Sequence, residues 1–112
     1  MTTISHPSPF CTVIVTIDAA PDVIGEMEAH ATSGLTWFAG FDGFVSGALH
    51  KSDDGSRLVQ YLQWDTEADH LACMQDPRWD DLPSAARFME LVNAGRATMD
   101  VRTYTVLATS ES

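Results

Sequence analysis

Positive charge is scarce in this chain. Six Lys and Arg stand against 16 Asp and Glu over 112 residues, for a formal net charge of −10. A surface of that sign repels phosphate backbones and anionic lipid, so no nucleic acid and no membrane surface is expected as a partner. Cysteine is almost as rare. Cys11 and Cys73 lie far apart and follow no metal-ligand spacing; free buried thiols are expected of them in a cytoplasmic chain. His6, His30, His50 and His70 form no HExxH or comparable pair, so no metal site is expected. The chain also lacks a phosphate loop for a flavin or a nicotinamide. No apolar run approaches the roughly 20 residues of a membrane span. Met1-Thr2-Thr3-Ile4 has neither the basic region nor the apolar core of a secretory leader, which makes the cytoplasm the expected compartment.

What is present is an ordinary globular composition, 45% apolar and 20% charged, of a length suited to one domain with a modest core. The most informative stretch runs from Gly43 to Trp64 and reads as two strands joined by a tight polar turn at Asp53-Asp54-Gly55. Alternation along the second strand puts Leu58, Gln60, Leu62 and Trp64 on one face. A buried amide on such a face must find partners, in the protein or in a ligand.

Residues 1–9, with Pro7 and Pro9, read as a flexible arm, and 109–112 as a tail. Between them, 10–108 is expected to form one domain. The run 10–17 is β-branched and nearly all apolar, as in a buried strand. Ile24, Met27, Ala31, Leu35 and Phe38 then recur at helical spacing. Thr66 with Asp69 fits a capping box opening a second helix, which Asp76-Pro77-Arg78 breaks. A further helix is predicted over Ser84–Ala94 and a last strand over Thr98–Ala108. The order β-α-β-β-α-(α)-β implies an α+β, ferredoxin-like fold: an antiparallel four-stranded sheet with helices on one face. The strands at 10–17 and 57–64 read as apolar on both faces. Helices cover only one, so a homodimer with sheets packed face to face is expected.

Asp42-Gly43-Phe44-Val45-Ser46, the turn at Asp53-Asp54-Gly55, the strand ending Gln63-Trp64, the acidic helix start and the Asp76-Pro77-Arg78 break together resemble the antibiotic biosynthesis monooxygenase family. The resemblance covers roughly residues 10–107 and implies a dimeric α+β barrel. It is strongest to the small cofactor-independent oxygenases of aromatic polyketide pathways. The implied reaction is oxidation of an anthrone-like phenol to a quinone by O₂, without metal, haem or flavin. The substrate's delocalised anion passes one electron to O₂, the radicals recombine, and the peroxide loses water.

Carried over by position, the family's usual Asn falls on Gln60, its Trp on Trp64, and an aromatic, often Tyr, on His70. Gln60 and His70 depart from the commonest pattern, one by a methylene and the other by an imidazole in place of a phenol. Gln60, Trp64 and His70 are therefore the candidate catalytic residues. His50, placed by alternation on the face of Phe44, is a candidate pocket base. Phe38, Phe44, Met74, Trp79 and Phe88 are candidates to line the pocket, while His30 is expected at the surface. The rival readings are a polyketide cyclase on the same fold, with His50 or His70 driving aldol closure, and a non-catalytic small-molecule-binding accessory protein. Haem-degrading relatives usually carry a His where this chain has Met74.

Overall fold

The computed structural model describes residues 10–108 and Ser110; the arm at 1–9 and the rest of the tail lie outside the described residues. The elements in order are β1 (Cys11–Ala19), α1 (Ile24–Phe38), β2 (Phe44–Lys51), β3 (Arg57–Trp64), α2 (Glu67–Met74), a 3₁₀ turn (Pro77–Asp81), α3 (Pro83–Asn93) and β4 (Ala97–Tyr104). The four strands form one antiparallel sheet in the order β2-β3-β1-β4. That is the ferredoxin-like order expected from the sequence.

Alternation places Val13, Val15 and Ile17 of β1 and Leu58, Gln60, Leu62 and Trp64 of β3 under the helices, where all are buried. The helical stripe meets them with Met27, Ala31 and Phe38. The turn before β3 closes through Gly55, whose φ of 77° suits a residue without Cβ. Asp54 Oδ1 accepts from the Ser52 hydroxyl at 2.7 Å and the Ser56 amide at 3.0 Å. Half of the capping box is present: the Thr66 hydroxyl oxygen accepts from the Asp69 amide at 3.1 Å, while the Asp69 carboxylate accepts from the Thr66 hydroxyl at 2.9 Å instead of from the Thr66 amide. The Asp76-Pro77-Arg78 break is itself ordered, because the Asp76 carboxylate accepts from the Arg78 amide at 2.8 Å and starts the 3₁₀ turn.

Three expectations change. β4 ends at Tyr104 rather than at Ala108, since its partner β1 begins at Cys11 and Tyr104 already pairs with Thr12. The helix-free face is less apolar than the sequence pattern implies. It carries Ile14, Val59 and Tyr61, but also a buried Thr12 and Gln63 and an Asp18–Arg57 ion pair at 2.7 Å. The third change is at the start of β2. A bulge between Phe44 and Ser46 adds one residue, and one residue reverses which face the following side chains take. Phe44 pairs with Trp64 on the helix side, whereas Ser46, Ala48 and His50 pair with Gln63, Tyr61 and Val59 on the other. Among the described residues no helix is long and apolar enough to cross a membrane.

Candidate active site

Between the inner face of the sheet and the helices lies a cavity of about 280 Å³. Its size is near the lower end for ligand sites, about 300 Å³. Phe38, Trp79 and Phe88 form aromatic walls, and Met74, Met89 and Met99 surround them with flexible thioethers. The strands contribute Val15, Gln60, Leu62 and Val101, and α1 contributes His30, Ala31 and Gly34. The walls are apolar, so the few polar groups decide how a ligand is oriented.

Trp79 is fixed from three sides. Its indole N–H donates to the Cys73 carbonyl at 2.8 Å, it stacks on Phe41 at 5.4 Å, and Phe38 meets it edge-on at 5.2 Å. Cys73 lies in the core, and burial pushes its thiol up to about 11, which keeps it protonated and inert.

His70 lines the cavity from α2 and is only 5% exposed. Neither ring nitrogen has a hydrogen-bond partner among the described residues. Burial lowers its pKa below the ordinary histidine value, against a weaker opposite pull from Glu67. The ring is therefore neutral near pH 7 and offers one donor and one lone pair. Unpaired buried polar groups are costly, so a ring kept this way in a cavity wall has both nitrogens available to hydrogen-bond whatever enters the cavity.

Gln60 lines the cavity from β3, and its amide nitrogen donates to the Ala31 carbonyl of α1 at 3.1 Å. One N–H and the amide oxygen remain. The amide thus ties helix to sheet and still presents polar atoms toward the cavity.

Of the sequence candidates, Gln60, His70, Phe38, Met74, Trp79 and Phe88 come together around one space. Trp64 lies one layer behind. It is fully buried, packed between Phe44 at 5.3 Å and His70 at 5.8 Å, and its indole N–H has no partner among the described residues. Phe44 sits in the same second layer, against Phe38 at 5.9 Å. His50 is on the opposite face of the sheet and exposed, because the β2 bulge reverses the alternation that had placed it with Phe44.

A second histidine also lies elsewhere than its sequence position suggests. His30, expected at the surface, lines the cavity with a side chain 15% exposed. Its Nε2 lies 2.8 Å from Glu26 Oε2. The available signal was the four-residue step from Glu26 to His30, on the edge of the stripe carrying Met27 and Ala31. Among the described residues no group of three or more His, Cys, Asp or Glu is arranged to hold a metal ion.

No family model matches the chain. Tetracenomycin-F1 monooxygenase of Streptomyces glaucescens is 37% identical over 81 residues, covering 70% of each chain. The fold is shared with SnoaB, a cofactor-independent oxygenase of Streptomyces nogalater, at a TM-score of 0.71 and 19% identity, over 91% of this chain and 97% of that one. It is also shared with PA3566 of Pseudomonas aeruginosa, at a TM-score of 0.69 and 23% identity, over 93% and 100%.

Proposed function

The chain belongs to the antibiotic biosynthesis monooxygenase family and is an oxidoreductase, and from that membership we propose that it oxidises an anthrone-like aromatic polyketide to a quinone with O₂ and no cofactor. One observation carries this reading. The cavity is walled by Phe38, Trp79 and Phe88, and its polar groups include the unpaired imidazole of His70 and the amide of Gln60. Such a space suits a flat apolar molecule with a phenol or carbonyl at one edge.

In this reading the substrate supplies the electrons and the protein supplies orientation and charge control. The neutral His70 ring hydrogen-bonds the substrate's edge oxygen. Gln60 offers its remaining N–H to the oxygen that gains negative charge, where a preorganised donor matters more than in water. Trp64 acts through His70, as a positioning residue that fixes the ring from behind. The apolar walls exclude water from the peroxide until it loses water to give the quinone. A second copy of the chain covers the helix-free sheet face around Ile14, Val59 and Tyr61. The free thiols of Cys11 and Cys73 fit a cytoplasmic setting.

The test is oxygen uptake with 1,8-dihydroxyanthrone in buffer treated with chelator. One O₂ consumed per quinone formed, at a rate well above the spontaneous one, is expected. A rate equal to the enzyme-free control would reject the reading.

A further inference from the structure

We propose that His30, oriented by Glu26, is the base that removes the substrate's proton. The inference rests on the oxygenase reading above and names the group that makes the reactive anion. Glu26, His30 and Gly34 follow one another at four-residue steps on α1, so they form a line along one side of the helix. His30 Nε2 lies 2.8 Å from Glu26 Oε2. In a neutral ring Nε2–H donates to the carboxylate, and the lone pair is left on Nδ1. That nitrogen makes no hydrogen bond among the described residues.

An i,i+4 pair of this kind is common on helix surfaces and does little there. Two features set this one apart. The His30 side chain is 15% exposed and forms part of the cavity wall, while Glu26 is 40% exposed on the outer side. Glu26 is also held from a second helix: Arg87 Nε donates to Oε2 at 2.8 Å, and Arg87 is itself anchored by Glu90 at 2.6 Å. The hydrogen bond from Arg87, then that from His30, lower Glu26 to about 2, so its charge persists throughout the working range. Beside His30, Gly34 leaves open space, with nothing within 4 Å of where a Cβ would stand.

The charged groups linked to His30 are Glu26, bonded to it on its own helix, then Arg87 of α3, which bonds Glu26, and Glu90, which bonds Arg87. The sheet presents Gln60, Met99 and Val101 to the cavity, all uncharged, and α2 presents His70. Burial disfavours the His70 cation, and no carboxylate touches it.

The substrate's acidic C–H bond breaks, its electron pair stays in the ring system, and the proton forms an N–H bond at Nδ1. The imidazolium is neutralised by the Glu26 carboxylate. The anion then gives one electron to O₂, and recombination forms a C–O bond and a peroxide anion. His30 returns its proton to the peroxide, which loses water. The net change is CH₂ plus O₂ giving C=O plus H₂O, with His30 regenerated.

The experiment mixes the full chain with 1,8-dihydroxyanthrone, first without oxygen and then with it. In the wild type the long-wavelength absorbance of the anthrone anion should rise on anaerobic binding. His30→Gln should still bind, read by quenching of tryptophan fluorescence, but form no anion. Its kcat should fall about a hundredfold with KM unchanged. Glu26→Gln should lower kcat about tenfold at constant KM, and Glu26→Asp should recover part of it. Wild-type turnover and anion formation in His30→Gln would overturn the inference and leave the oxygenase reading intact. Should His30→Gln fail to melt cooperatively, Glu26→Gln decides, and an unchanged kcat there overturns it. A wild type that neither binds nor oxidises the probe defeats the oxygenase reading, and this inference with it.

Discussion

Burial of His70 should make the stability of this protein fall on mild acidification. The ring is 5% exposed and both nitrogens lack partners among the described residues, and its pKa lies below the 6.5 of a free histidine, chiefly through burial. In the unfolded chain the ring takes up a proton near pH 6.5, while in the folded chain it resists. Between those two values the unfolded state binds more protons, so stability rises with pH. The contribution is complete above the unfolded value and is lost as pH falls through it toward the lowered folded value. The loss grows as pH falls below the unfolded value and stops growing once the lowered folded value is passed. For a domain of this size each kcal/mol lost lowers Tm by roughly 4 to 8 °C. The carboxylates held low, Glu26 and Asp54, both at about 2, titrate well below this window and do not confuse it. The assay is a series of thermal melts from neutral to mildly acidic pH on the wild type and on His70→Phe, which keeps a ring 5.8 Å from Trp64 but cannot titrate. The difference between the two proteins isolates His70 from the other histidines. Equal falls in Tm for both would refute the reasoning, and would mean that solvent reaches the ring more easily than its packing implies.

Gln60→Leu should remain folded but melt a few degrees lower, because its 3.1 Å bond to the Ala31 carbonyl is worth about 1 kcal/mol. Its turnover with 1,8-dihydroxyanthrone should fall at least about tenfold, and wild-type turnover would make the amide purely structural. Gly47→Ala should destabilise by about 1–3 kcal/mol in urea, since the new Cβ would stand 2.8 Å from Leu35 Cδ1 and 3.0 Å from Leu62 Cδ2. Gly34→Ala, where nothing lies within 4 Å, should instead stabilise by about 0.5–1 kcal/mol through helix propensity. Light scattering at micromolar concentration should give about twice the 12.2 kDa chain mass, and a stable monomer would remove the case for a covered outer sheet face.

Much of the architecture was legible along the chain because it depends on local chemistry. The two-residue period of β3, the three- and four-residue period of α1, the Asp54-Gly55 turn and the Thr66–Asp69 cap each involve residues close in sequence. Their order alone leads to the four-stranded sheet. It also brings Gln60, His70 and Trp79 to one space, because each lies on the inward face of its own element. Tertiary structure decided what those faces meet. The bulge after Phe44 turned His50 to the far side of the sheet, and no residue type in β2 signals an added residue there. Trp64 and His70 both face inward, but only packing determined that the imidazole reaches the cavity while the indole lies behind it. His30 differs from a surface histidine because α3, 61 residues beyond Glu26, brings Arg87 to the Glu26 carboxylate, and the cavity opens on its other side. Periodicity reports which side of a helix faces inward. Whether that side meets packed core or empty space depends on the volumes of side chains arriving from distant elements, and only the folded chain brings those together.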